Sequence, residues 1–275
     1  MIDLPTLHAR RYVQPLREGG SLPAVVDTEG GLYVVKFRGA GQGALALVAE
    51  LVAGLLARTA GLPVPDLALV EVAPLFGRSE PDPEIQDVLR GSHGTNVGLR
   101  YLDGAFNFDP LAAGDLVVPD FAADLVWLDA WLTNPDRTAR NPNLLVWQGR
   151  LWPIDHGATI YAHHDWPSVD EARTRTPFAR IRDHVLLGPS GDLDAADARM
   201  TARLPEEAIA EVVAAVPDAL LLDRPGPFAT AAEARARYVD YLTTRRAAPR
   251  AWLAEAIRAK GELAAQPPRR LSARR

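Results

Sequence analysis

Asp136, Asn141 and Asp155 are the residues of this chain whose types and spacing best suit chemistry on a phosphate. Asp136 and Asn141 lie five apart in a loop broken by Pro135 and Pro142. Two apolar runs follow, 144–147 and 150–154, parted by the turn-forming pair Gln148 and Gly149. That pattern predicts a hairpin. Its returning strand delivers Asp155 beside Asn141, and Gly157 then lets the chain turn away. A carboxylate and an amide oxygen converging in this way suit Mg²⁺ carrying nucleotide phosphates. Asp136 is then placed to orient an attacking hydroxyl and take its proton. Asp and Asn also serve ordinary turns by bonding their own backbone, so the first pair carries weight only together with Asp155 and the hairpin.

Composition singles out a fourth residue. Of 30 basic residues only Lys36 and Lys260 are lysine, so arginine fills nearly every position where any positive charge would serve. Lys36 sits in the β-rich run Leu32-Tyr33-Val34-Val35-Lys36-Phe37. An ammonium is a compact point charge and a guanidinium a broad fork, and a phosphate-contacting lysine on a strand does not tolerate the exchange. Lys36 is therefore expected to reach the α- and β-phosphates of ATP. Residues 44–59 carry Leu45, Val48, Val52, Leu55 and Leu56 at helical spacing and close at Gly61 and Pro63. Glu50 on that helix is expected to pair with Lys36. Upstream, Arg17-Glu18-Gly19-Gly20-Ser21 offers backbone N–H groups to phosphates, with Ser21 as the expected contact.

The elements around these residues divide in two. Residues 10–37 predict short strands, 44–60 a helix and 67–73 a further strand, which makes a small α+β lobe. Residues 77–96 look like a polar loop. Residues 98–104 then resemble a strand and hinge, where Tyr101 and Leu102 would offer backbone groups to adenine. Beyond it the pattern is helical. Phe121, Leu125, Leu128 and Leu132 fall on one face of a helix started by Pro119 and Asp120 that runs into the Asp136 loop. Residues 206–216, 231–244 and 249–263 predict further amphipathic helices. The expected organisation is an N-lobe over 1–100, a C-lobe over 101–266 and a basic tail over 267–275. Trp127, Trp131, Trp147 and Trp152 flank the loop and are expected in core packing.

At 275 residues and 48% hydrophobic content the chain can bury a core large enough for two lobes. A net charge of -5 argues against a nucleic-acid-binding surface as the main function. Zero cysteines exclude disulfides and thiolate metal sites. The first residues lack the apolar core of a signal peptide, and the longest apolar stretch is interrupted by Glu50, so a cytoplasmic protein without a membrane span is expected. His156, His163 and His164 lack the recurrent spacing of zinc ligands and are expected at the surface of a loop. A Ser-His-Asp hydrolase has no Gly-x-Ser-x-Gly elbow to rest on.

Together these residues resemble a known pattern. Asp136 and Asn141, the hairpin and Asp155-His156-Gly157 follow the Asp-x-x-x-x-Asn and Asp-x-Gly spacing of protein-kinase-like enzymes. With Lys36 on its strand and the Asn134-Pro135-Asp136-Arg137 loop, they look like the HipA-like kinases, relatives of the serine/threonine kinase HipA that share features with phosphatidylinositol 3- and 4-kinases. The resemblance spans roughly residues 10–160. It implies an α+β, two-lobed protein-kinase-like fold, with a small β-rich N-lobe and a mainly helical C-lobe. It also implies transfer of the γ-phosphoryl group of ATP to a hydroxyl, expected to be a protein Ser or Thr, with Asp136 as base and Asn141 and Asp155 holding Mg²⁺. Family members carry Asp-Arg-His-x-x-Asn in the loop, and Thr138 stands here at the histidine position. The chain looks too short for the extra amino-terminal subdomain of HipA, so HipA's toxin role and DNA-binding antitoxin partner are not expected to come with the likeness. A kinase of small molecules or lipid headgroups, a nucleotidyl transferase and a non-catalytic nucleotide-binding module share these motifs and stay open.

Overall fold

Short runs rich in Val and Leu, punctuated by turn residues, build a small barrel first. The computed structural model describes residues 2–16, 22–41, 43–78 and 80–265. The turn that ends at Ser21 and the basic tail both lie outside these residues. The strands are β1 (Thr6–Pro15), β2 (Ala24–Thr28), β3 (Gly31–Lys36), β4 (Leu67–Val72) and β5 (Gly94–Arg100). They close in the order β1-β2-β3-β5-β4, with β1 parallel to β4 and the other pairs antiparallel. Val26, Tyr33, Val35, Val70 and Val72 pack in one cluster of this barrel with Phe37. Gly98 keeps β5 close to its neighbours, because a Cβ there would sit 2.8 Å from the Val70 side chain.

Helix α1 (Gly43–Thr59) is buried at every position except Leu45, Arg58 and Thr59. A helix apolar all round belongs inside a core. It lies against β4 and β5 on one side and against α6 (Glu206–Ala214) and α7 (Asp218–Leu221) on the other. The polar loop expected over 77–96 is corrected by the structure. It holds α2 (Pro83–Arg90) and the start of β5. Asp82 caps α2 by accepting from the Glu84 N–H at 3.0 Å, Pro83 fits the first helical turn, and Ile85 and Leu89 bury against the barrel.

The remaining helices are α3 (Pro119–Trp131), α4 (Glu171–Thr174), α5 (Leu193–Arg203), α8 (Ala231–Arg246) and α9 (Ala251–Ala264), beside α6 and α7. The single apolar face expected for α3 is also corrected: every residue from Ala122 to Trp131 is buried. Trp127 meets Trp252 edge to face at 5.2 Å and Trp131 at 5.4 Å, which fixes α3 against α9. Arg245 of α8, buried, donates to the Trp131 carbonyl at 2.7 Å and the Thr174 carbonyl at 2.8 Å. The end of α3, from which the Asp136 loop departs, is thereby held. A three-stranded sheet of β6 (Phe106–Asn107), β7 (Leu144–Trp147) and β8 (Arg150–Pro153) completes the architecture. Among the described residues no helix is long and apolar enough to cross a membrane.

Candidate active site

The loop after α3 is built around its own polar groups. Asn134 donates from its backbone N–H to the Asp129 carbonyl at 2.8 Å and from its side chain to Asp129 Oδ1 at 2.9 Å. Its Oδ1 accepts from the Asp136 N–H at 3.1 Å. The Asp136 carboxylate then receives two amides on one oxygen: Asn141 Nδ2 at 3.0 Å and Asn143 Nδ2 at 3.3 Å, both on Oδ2. Oδ1 of Asp136 bonds no group among the described residues. Thr138 closes the loop, its N–H donating to the Asn141 carbonyl at 3.0 Å and its Oγ1 accepting from the Asn141 N–H at 3.3 Å. Across from it, Thr138 forms an isolated antiparallel bridge with His184.

Strands β7 and β8 pair as the spacing predicts, Leu144 opposite Pro153 and Trp147 opposite Arg150. The Ile154 N–H donates to the Asn143 carbonyl at 3.0 Å, so the two ends of the hairpin stay in register. Asn141 lies just before that junction and Asp155 just after it. Asp155 has a left-handed backbone, φ +56°, a conformation more open to Asp and Asn than to other non-glycine residues. Gly157 packs beneath α1: a Cβ there would lie 3.4 Å from the Ala46 carbonyl oxygen and 3.7 Å from Glu50 Oε2.

Lys36 joins the barrel to this turn. Its Nζ donates to Glu50 Oε2 at 2.6 Å and to Asp155 Oδ1. Glu50 is fully buried, whereas the Asp155 side chain is 41% exposed. Burial works against the Lys36 charge, but Glu50 and then Asp155 raise its pKa above the ordinary lysine value. Burial also pushes the Glu50 carboxyl above the usual range, against the pull of Lys36, and among the described residues its Oε1 has no hydrogen-bond partner. For Asp155 the Lys36 ammonium overcomes burial and holds the carboxyl below its usual value. A narrow cleft behind Lys36 is walled by Phe37, Ala40, Gly43, Ala46, Leu47 and Gly157.

Tyr101 and Leu102, the residues expected at a hinge, follow the end of β5. The Tyr101 N–H continues the ladder by donating to the Leu32 carbonyl at 2.9 Å, and the Leu102 carbonyl accepts from the Ala105 N–H at 3.1 Å. Trp147 Nε1 donates to the Asp103 carbonyl at 2.9 Å, tying this segment to β7. Lys36, Glu50 and Asp155 therefore share one cluster, Asp136 and Asn141 a second, and the hairpin joins the two. Among the described residues Tyr101 and Leu102 share no hydrogen bond or ion pair with either cluster.

Sequence reasoning missed the groups beneath the loop. Asp129, fully buried on α3, accepts Arg137 Nε at 2.6 Å and His184 Nε2 at 3.0 Å on the same oxygen. His184 Nδ1 accepts from the Leu186 N–H at 3.0 Å, which places the imidazole proton on Nε2. Burial opposes the Asp129 charge, yet Arg137 and His184 hold its carboxyl far below the usual range. The expectation of surface histidines holds for His164, which is exposed, and is corrected for the other two. His156 and His163 are buried, and burial depresses the pKa of each to about 3. The available signal was Asp129, which with Asp124 is a carboxylate set inside the apolar run that forms α3.

A model of HipA-like kinases matches residues 13–169, more than half of the chain and the span that holds both clusters. Among solved structures, the crystal structure of a Helicobacter pylori proinflammatory kinase, CtkA, matches with a TM-score of 0.57 and 14% sequence identity. That match covers 96% of this chain and 100% of the other, and at such identity it is a likeness of fold. No curated protein matches the sequence. By the extent of the family match, the chain belongs to the HipA-like kinases.

Proposed function

We propose that the chain transfers the γ-phosphoryl group of ATP to a hydroxyl, with a protein Ser or Thr as the acceptor. The observation that carries this is the placement of Lys36 between buried Glu50 and half-exposed Asp155. An ammonium so held is aimed at the α- and β-phosphates rather than left to find them. The barrel serves as the smaller, nucleotide-binding lobe, with the boundary near residue 100, and the residues from 101 onward form the larger lobe. At the hinge, the Tyr101 carbonyl and the Leu102 N–H are the backbone groups left for a purine edge, since the Tyr101 N–H and Leu102 carbonyl are engaged.

The donor set fits Mg²⁺. Asn141 turns its amide nitrogen to Asp136, which directs its oxygen away, and Asp155 has one oxygen on Lys36 and a partly exposed side chain. One carboxylate, one amide oxygen and substrate phosphates are the manner in which Mg²⁺ is commonly held. Bound there with ATP, the ion would offset the charge that develops on the phosphates. Asp136 Oδ1 is the proton acceptor for the attacking hydroxyl, while Asn141 and Asn143 fix the orientation of the group through Oδ2.

The test is transfer from ATP labelled at the α- or γ-position, followed by intact-mass measurement of the protein and of candidate acceptors. γ-Label on a Ser or Thr with a one-phosphate gain in mass supports the proposal. α-Label on the product would replace it with nucleotidyl transfer. Labelled small molecules with unlabelled proteins would move the acceptor to another class.

A further inference from the structure

We propose that Arg137, seated on Asp129 and His184, is a positioning residue that sets Asp136, Asn141 and Asp155 at a common spacing for phosphoryl transfer. The inference rests on the phosphotransferase function proposed above. Arg137 follows Asp136 in the chain, and its side chain is fully buried. Its donors are spent on four groups: Asp129 Oδ2 at 2.6 Å, the Asn143 carbonyl, the Ile154 carbonyl at 3.1 Å and His156 Nδ1 at 3.3 Å. Asn143 lies two residues beyond Asn141. Ile154 and His156 flank Asp155. One planar fork thus touches the segments that carry all three groups.

Stability alone does not call for this arrangement. A buried ion pair commonly contributes no more than well-packed apolar side chains of the same volume. The hairpin is already closed without it, by the Asn143 to Ile154 hydrogen bond and the β7–β8 ladder. What the guanidinium adds is a fixed distance between the hairpin and the Asp136 loop, for which its rigid set of donors is suited. Asp129 in turn has both oxygens occupied, Oδ1 by Asn134 and Oδ2 by Arg137 and His184. The fork therefore has little freedom to swing. Misplacing a reacting group by about 1 Å costs on the order of 100-fold in rate, so a clamp of this kind acts on turnover more than on nucleotide affinity.

Two variants test the proposal beside the wild type. Arg137→Lys keeps a charge for Asp129 but cannot span four acceptors. Asp129→Leu with Arg137→Met removes both charges and leaves none buried alone. For each, kcat, KM for ATP and the urea unfolding midpoint are measured. The expected result is a loss of about 100-fold in kcat in Arg137→Lys, with KM for ATP within a few-fold of wild type. The same loss is expected in the double variant even where its unfolding midpoint matches wild type. Wild-type kcat in a folded variant would overturn the clamp. So would a loss of activity that tracks unfolding and disappears at low temperature. A wild type that moves no γ-phosphate sinks the phosphotransfer function itself, a failure distinguishable from wild-type turnover accompanied by unaffected variants.

Discussion

Lys36 and Glu50 meet at 2.6 Å inside the core, and the ammonium reaches Asp155 from the same position. Glu50 belongs to a helix packed on both the barrel and α6 and α7. Lys36 is therefore braced by the same helix that packs against the helical part of the chain.

Removing the ammonium leaves a buried carboxylate without its partner, which costs roughly 3–5 kcal/mol. Lys36→Met should lower stability by that order. Lys36→Met combined with Glu50→Gln should recover most of it, since the stranded charge is gone. Neither variant is expected to transfer phosphate, because both lack the charge that the proposed function assigns to fixing the nucleotide. Urea unfolding read alongside γ-label transfer checks the pair. A double variant as unstable as the single would assign the loss to packing, and one that still transfers would remove Lys36 from the chemistry.

Asp155 separates fold from function differently. Its side chain is partly exposed and Lys36 keeps Glu50 when it is removed, but its backbone is left-handed. Asn tolerates that conformation and Ala pays roughly 1 kcal/mol more. Asp155→Asn should match the wild-type melting temperature within a few degrees, and Asp155→Ala should fall below it. Both should lose phosphoryl transfer and the stabilisation that the proposed function expects ATP with Mg²⁺ to give the wild type. Thermal melts with ATP alone and with ATP plus Mg²⁺ measure this. Full Mg²⁺-dependent stabilisation in Asp155→Asn would deny the residue a metal.

Both amides that hold Asp136 donate to Oδ2, an acceptor that an Asn carbonyl oxygen reproduces while the basic oxygen is lost. Asp136→Asn should lower kcat by on the order of 100- to 10,000-fold, the usual contribution of a positioned base, and leave ATP binding within a few-fold of wild type. Single-turnover transfer with saturating ATP is the measurement. Unchanged turnover would shift the proton acceptor elsewhere.

The parts of this site that sequence reveals are those whose signal is local. Asp136 and Asn141 announce themselves by spacing, the hairpin by its alternation around Gln148 and Gly149, and α1 by its apolar run. Lys36 stood out because arginine replaced lysine almost everywhere else. Local signals fail where a partner is remote. Asp129 looks like a polar position on a helix, and only the fold brings His184 to it from 55 residues away. Helix α2 escaped notice because just Ile85 and Leu89 bury, too few to set a period among charged neighbours. The all-round burial of α3 depends on α5 and α9 covering it, and no residue of α3 encodes that.

The buried histidines make stability depend on acidity in a window that can be worked out. His163 shares a hydrogen bond with Tyr238 Oη at 2.9 Å, and burial, with a smaller contribution from His164, lowers its pKa from 6.5 to about 3. Above pH 6.5 it is neutral in both the folded and the unfolded chain and contributes nothing to the pH dependence. As pH falls from 6.5 toward 3 only the unfolded chain takes up the proton, so stability is lost at up to about 1.4 kcal/mol per pH unit. His156 adds to the same window. Asp129 acts lower: its depressed pKa supports the fold above 3.8, and that support is withdrawn only as pH falls further. His163→Gln retains a partner for Tyr238 and cannot titrate. Its stability should therefore decline less steeply than wild type between pH 6.5 and 4.5, by an amount approaching that slope. Urea unfolding at several pH values compares the two proteins. Parallel pH profiles would mean that His163 accepts its proton in the folded state, and that the pocket around Tyr238 opens to water.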